Sequence, residues 1–135
     1  MSDEVLKYVV NMVSNFCKHN PLVDKVFIGG SAYLILKSFS TGYPNDLDIM
    51  ADLRKVQNSQ YINMVFDLPV TCIHPTKEVS KNIFLLHPID QCITIFNRVP
   101  ITVEKYRKWV DYFFSLPKEF QEEILHHLPD DNSNR

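Results

Sequence analysis

The chain has 135 residues, the usual size of one domain, and its 45% hydrophobic and 22% charged content excludes wholesale disorder. Fourteen Lys and Arg against sixteen Asp and Glu give a net charge of −2. That excludes a protein that grips long duplex DNA through its phosphates, and it is not acidic enough for a DNA mimic.

The first predicted element is an amphipathic helix over 3–18. Val5, Leu6, Val9, Val10, Met12, Val13, Phe16 and Cys17 recur there at three- and four-residue steps, with Ser2 as N-cap. Asn20-Pro21 ends it. Val26-Phe27-Ile28 reads as a short buried strand closed by the turn residues Gly29-Gly30. Ser31 can cap a second helix whose apolar face is Ala32, Leu34, Ile35, Leu36 and Phe39, followed by turn chemistry over Thr41–Asn45. A second strand is expected over Asp46–Met50, alternating acidic and apolar. The segment from Leu53 to Asn63 reads as a short helix or a loop. Val65 to Ile73 is expected as a third strand, with Pro69 marking an edge or a break. After an apolar stretch through Phe96, Thr102–Phe114 and Pro117–Leu128 read as two closing helices, and the polar residues 130–135 form a tail. The aromatic residues Tyr106, Trp109, Tyr112, Phe113, Phe114 and Phe120 are expected to face a helical core, with a partner or homodimer surface as the alternative.

The acidic start Met1-Ser2-Asp3-Glu4 is unlike a signal peptide, and no apolar run reaches the ~18 residues of a membrane span. Cys17, Cys72 and Cys92 form no CxxC pair, so they are expected as reduced thiols of a cytoplasmic protein with no membrane partner. Cys72-x-His74 and His87-x4-Cys92 could supply four zinc ligands, but their spacing lacks the tight pairs of a zinc site.

One constellation carries chemistry. Glycines at a strand end let the backbone approach a phosphate closely, and the helix that follows presents N–H groups with partial positive charge. Gly29, Gly30 and Ser31 supply that arrangement, the serine adding a hydroxyl. Fifteen and seventeen positions after Ser31, Asp46 and Asp48 stand two apart on a strand, so both carboxylates leave the same face while Leu47 and Ile49 point inward. Two adjacent carboxylates repel unless a cation sits between them, and magnesium takes such oxygen ligands together with substrate phosphates.

Strand–Gly-Gly-Ser–helix–Asp-x-Asp resembles the polymerase-β-like nucleotidyltransferase superfamily, in particular its small single-domain members from toxin–antitoxin and phage-defence systems. The resemblance rests on Gly29 to Ala32 and Thr41 to Ile49, within a span of about one-sixth of the chain. It implies an α+β (α/β) minimal nucleotidyltransferase fold: a small mixed β-sheet flanked by helices over 1–100, a C-terminal helical pair over 101–129, all one domain. It also implies a nucleoside triphosphate held at Gly29, Gly30 and Ser31, and two magnesium ions at Asp46 and Asp48. A third carboxylate should help to activate the attacking hydroxyl. Asp67 is the candidate, although it follows Asp48 by a compressed nineteen residues, and Glu78 and Asp90 are less well placed. Lys37, Arg54, Lys77 and Lys81 are all available to the triphosphate. The implied reaction moves a nucleoside monophosphate to a hydroxyl on a protein or RNA. The alternative is a catalytically degenerate member that grips a protein partner, and the plainest alternative a structural domain whose acids are only surface residues.

Overall fold

Val5, Val9, Val13 and Phe16 lie on one face of a helix and are all buried, so the first helix is held by its stripe. Burying each such side chain contributes about 1.5–3 kcal/mol. In the computed structural model, which describes residues 3–60, 62–70, 72–98 and 106–129, this helix, α1, spans Asp3–His19. The expected cap, Ser2, lies outside the described residues. The remaining elements are β1 (Val26–Ile28), α2 (Gly30–Leu36), β2 (Asp48–Met50), a 3-10 turn (Leu53–Lys55), β3 (Met64–Phe66), β4 (Lys77–Ser80), β5 (Ile83–Leu85), α3 (Pro88–Arg98), α4 (Arg107–Ser115) and α5 (Lys118–His126). The class is α+β, with a mixed sheet and a closing helical pair.

Contacts divide the chain into two compact units. The first comprises Met1–Pro69 and Thr76–Leu85 and contains the sheet, in strand order β3-β2-β1-β5-β4. β1 is its centre, antiparallel to β2 and parallel to β5; β3 runs parallel to β2, and β4 antiparallel to β5. Val26, Ile28 and Ile49 are fully buried at the middle of this sheet, as a strand without polar residues requires. α2 packs on β2 and on α1.

Beneath this unit's core an asparagine does the work of several backbone partners. Asn20 is fully buried; its Nδ2 donates to the carbonyls of Phe16 and Asn58, and its Oδ1 accepts from the N–H groups of Gln57 and Asn58. All of the amide's capacity is used, so the irregular run after the 3-10 turn is fixed to the end of α1.

The second unit comprises Val70–Pro75 and Leu86–Arg135. α3 packs against α4 and α5, with Phe96 edge-on to Phe113. Trp109, Tyr112 and Phe113 are buried and serve a core, Tyr106 and Phe120 are half-buried, and Phe114, expected to face that core, is exposed. The residues of the expected helix before Tyr106, and the tail, lie outside the described residues.

Several expected boundaries move. The second helix begins at Gly30 with Gly29 as its N-cap, so Ser31 stands in the first turn rather than at the cap; Phe39 lies beyond its end and is exposed. β2 begins at Asp48, and Asp46 lies in the bend before it. β3 stops at Phe66: Pro69 cannot donate to a ladder, and Val70–Pro75 joins the helical unit instead. The β4–β5 hairpin has no counterpart in the expected elements. Its turn places Asn82 at φ 64, a left-handed conformation that asparagine tolerates, beside a register shift between Glu78 and Ser80.

Candidate functional site

The glycine turn and the second acid meet. Across the β1–β2 ladder the N–H of Gly29 donates to the carbonyl of Asp48 at 2.9 Å, continuing the pairing of Ile28 with Ile49. The next residue, Gly30, has φ +56, and a Cβ built there would lie 2.7 Å from Oδ2 of Asp48 and 3.1 Å from its Cβ. Only glycine lets the backbone turn in this way and lets the carboxylate lie against it. The start of α2 and the carboxylate of Asp48 therefore occupy one place.

Gly29 is buried and its N–H is engaged by the sheet, which leaves the N–H groups of the first turn of α2, from Gly30, Ser31 and Ala32, as those with no intrahelical partner. Ser31 is exposed. From Asp46 to Ile49 the burial runs exposed, buried, half-buried, buried: Asp48 leaves the core at the start of β2, and Asp46 is exposed in the bend before it. Asp67 is placed elsewhere. Asp48 is level with Met64 in the parallel β2–β3 pair, and Asp67 follows Met64 by three residues, about 10 Å along the strand. Its Oδ1 accepts from the N–H of Leu68 at 2.9 Å and is 3.5 Å from the N–H of Leu53.

A residue absent from the expected set stands at the site instead. Asn63 donates from Nδ2 to Oδ1 of Asp48 at 3.1 Å, and its backbone N–H donates to the carbonyl of Leu47 at 2.8 Å. It ends the segment that sequence patterning left unassigned, and only its place just before β3 could have drawn attention to it.

The cations sort by partner. Arg54 forks onto Asp52, which holds the Asp52 carboxyl down at about 2 and raises the guanidinium's own pKa. Lys37, just after α2, has its pKa lowered by burial and then by the charge of Lys77. Lys77 pairs with Leu85, and Phe84 with Phe27, so Lys77 lies at the end of the sheet where β1 turns into α2.

In the helical unit a second polar cluster forms that spacing did not reveal. Asp90 is fully buried and accepts from the N–H groups of Ile73 and His74 at 2.9 and 2.8 Å. His74 Nε2 meets Glu123 Oε2 at 2.5 Å, and its ring stacks on His87. The four-ligand zinc arrangement does not assemble: Cys92 is buried, its thiol pushed up to about 12 by desolvation, while Cys72 is exposed and His74 is paired with Glu123. Among the described residues, no three His, Cys, Asp or Glu side chains gather as a metal centre, and no helix is long and apolar enough to cross a membrane.

Compared with family models, curated proteins and solved structures, the chain matches none of them.

Proposed function

We propose that this chain is a magnesium-dependent nucleotidyltransferase that moves a nucleoside monophosphate from a nucleoside triphosphate to a hydroxyl on a protein or RNA. The observation that supports it above all others is the approach of Gly30 to the Asp48 carboxylate, which puts first-turn N–H groups and an acid at one spot. An anion favours the first and a cation the second, and a metal–triphosphate complex presents both.

The donor set fits magnesium: Asp46 and Asp48 are hard oxygen ligands, and this ion is ordinarily held by one or two carboxylates plus phosphate oxygens. When bound, it would neutralise charge on the phosphates during transfer. The residues themselves position the substrate. The N–H groups of Gly30 and Ser31 and the Ser31 hydroxyl receive phosphate oxygens, and Lys37 and Lys77 supply positive charge at that end of the sheet. The acceptor oxygen bonds to the α-phosphorus as the bond from that phosphorus to pyrophosphate breaks. Asp67 is the candidate to take the hydroxyl proton, and from about three strand steps away it would do so through bridging water rather than by direct contact with the attacking oxygen. With triphosphates as substrate, the cytoplasm is the compartment that suits the reaction.

The placement of Asp67 favours a second reading. With that carboxylate about three strand steps from Asp48 and turned to Leu53 and Leu68, the site can bind metal and nucleotide without an efficient base. The chain would then be a degenerate member that grips a protein partner, itself or another.

Purified protein with magnesium and α-labelled nucleoside triphosphates, added to a lysate, should label a protein or RNA band, and Asp46→Asn with Asp48→Asn should abolish it. Nucleotide binding without any labelling would select the binding module. Neither binding nor labelling would sink both readings.

A further inference from the structure

Asn63 is not an acid, yet its side chain hydrogen-bonds the carboxylate of Asp48. Its backbone N–H is tied to Leu47 and its side-chain amide to Asp48, so it is fixed at two points to the strand entrance that carries the acids. An amide is two-sided: the same planar group offers a donor at one end and an oxygen at the other. Here the amide turns its Nδ2 toward the carboxylate of Asp48. Rotated by half a turn, it would put Oδ1 at the position Nδ2 now holds, 3.1 Å from Oδ1 of Asp48. Two neighbouring oxygen ligands of magnesium lie about 3 Å apart, since an octahedron with bonds of roughly 2.1 Å has edges longer by the square root of two. The spacing across the Asn63–Asp48 contact is thus the spacing of one edge of a magnesium shell.

We propose that Asn63 is a metal-binding residue of this site, a neutral oxygen ligand standing beside Asp48 where a third acid is otherwise missing. The inference rests on the reading of Asp46 and Asp48 as magnesium ligands. In the metal-free protein the amide donates to Asp48 and eases its negative charge; with the ion bound it flips and becomes a ligand. Two carboxylates and a neutral amide carry one negative charge fewer than three carboxylates. Such a site holds bare magnesium weakly and gains the missing charge from the nucleotide's phosphates, so the ion enters with the triphosphate.

The test reads melting temperature in chelator and across a magnesium titration, with no nucleotide, for the unaltered protein, Asn63→Asp, Asn63→Leu and Asp48→Asn. Asn63 is exposed, so none of its substitutions threatens the fold. In chelator, Asn63→Asp should melt below the unaltered protein, because a hydrogen bond is replaced by carboxylate repulsion. In magnesium the same variant should gain more than the unaltered protein and respond at lower concentration, on the order of tenfold, since ligand charge sets affinity. Asn63→Leu should respond less than the unaltered protein, and calorimetry should show it binding magnesium–triphosphate more weakly. If Asn63→Asp and Asn63→Leu both titrate like the unaltered protein while Asp48→Asn has lost the response, the role of Asn63 is overturned and the acid pair stands. If Asp48→Asn titrates like the unaltered protein, the acid pair falls and the inference with it. An Asn63→Asp variant with no response to magnesium also overturns the inference.

Discussion

Asp48 and Asp90 are both aspartates pressed against backbone, and they meet opposite fates. Asp90, in the helical unit, is fully buried and gives each of its oxygens to a backbone N–H of the segment entering from β3. Its charge is consumed in holding that segment. Asp48, in the sheet unit, is half-buried, lies with Oδ2 on the Cα side of Gly30, and among the described residues its carboxylate accepts a hydrogen bond from a single amide, that of Asn63. Backbone carbon offers a carboxylate nothing in return, so lone pairs remain for a ligand. A buried acid that is saturated serves the fold, and a half-buried acid left short of donors is the one to suspect of chemistry.

Exchanging each acid for its amide separates the two roles. Asp48→Asn should lower nucleotidyl transfer on the order of a hundredfold or more while leaving the urea midpoint near its original value. Asp90→Asn should do the reverse. One amide end can accept, but the other turns an N–H₂ toward a backbone N–H, leaving a buried donor unsatisfied at a cost of about 2–4 kcal/mol. Urea denaturation and a transfer assay on the folded fraction measure both. Equal stability losses for the two variants would erase the distinction.

Gly30→Ala sharpens the sheet side. An alanine at φ +56 costs roughly 1–2 kcal/mol in backbone strain, and its Cβ cannot remain 2.7 Å from Oδ2 of Asp48. The carboxylate must move, so the variant should lose its magnesium response as well as about 2 kcal/mol of stability. Ser31→Ala, one residue on and exposed, should keep both.

The contrast between the two aspartates also explains what was legible in the sequence. Asp46 and Asp48 announced themselves because the cue is local: acid and apolar residues alternate over Asp46–Ile49, and Gly29-Gly30 marks the strand end beside Asp48. β1 was read to the residue for the same reason, as three apolar residues bounded by glycine. The Asp90 cluster unites residues from 73 to 123 through a loop and two helices, and no periodicity reports such a meeting. Asn63 is tied to Asp48 by the register of β3, which only the paired strands reveal. The β4–β5 hairpin escaped notice because Lys77-Glu78-Val79-Ser80 is an edge strand with little apolar patterning, and the one cue, Lys81-Asn82 before an apolar run, is weak without a glycine.

Next to Asp90 stands a polar residue with the opposite defect. Gln91 is fully buried, and neither Oε1 nor Nε2 has a hydrogen-bond partner among the described residues. Where Asp90 is saturated, Gln91 carries an unmet desolvation cost. Gln91→Leu, nearly equal in volume and wholly apolar, should therefore raise stability by about 1–2 kcal/mol in thermal or urea melts. A loss instead would mean that the amide has a role the fold alone does not explain.

A third aspartate, Asp52, gives the smallest effect and tests the rule at the surface. It is neither saturated by buried backbone nor left short of donors. The Arg54 side chain holds it through Nε at 3.0 Å and a terminal nitrogen at 2.8 Å, with the Arg54 N–H adding to Oδ1 at 3.1 Å. This brings its pKa from an ordinary 3.8 down to about 2. A carboxyl whose folded pKa is depressed stabilises the protein above its unfolded pKa and loses that contribution as pH falls through the folded one, here between about pH 4 and pH 2. The arginine is 88% exposed, so water and salt screen the pair and the contribution is small. Asp52→Asn should accordingly flatten the acid limb of the stability–pH curve slightly, an effect that added salt should diminish. Asp90→Asn should keep its deficit at high salt, because a hydrogen bond lost in the interior is not restored by ions outside it. If salt abolished the Asp90 deficit too, its carboxylate would be acting as a surface charge, and the contrast with Asp48 would have to be argued on exposure alone.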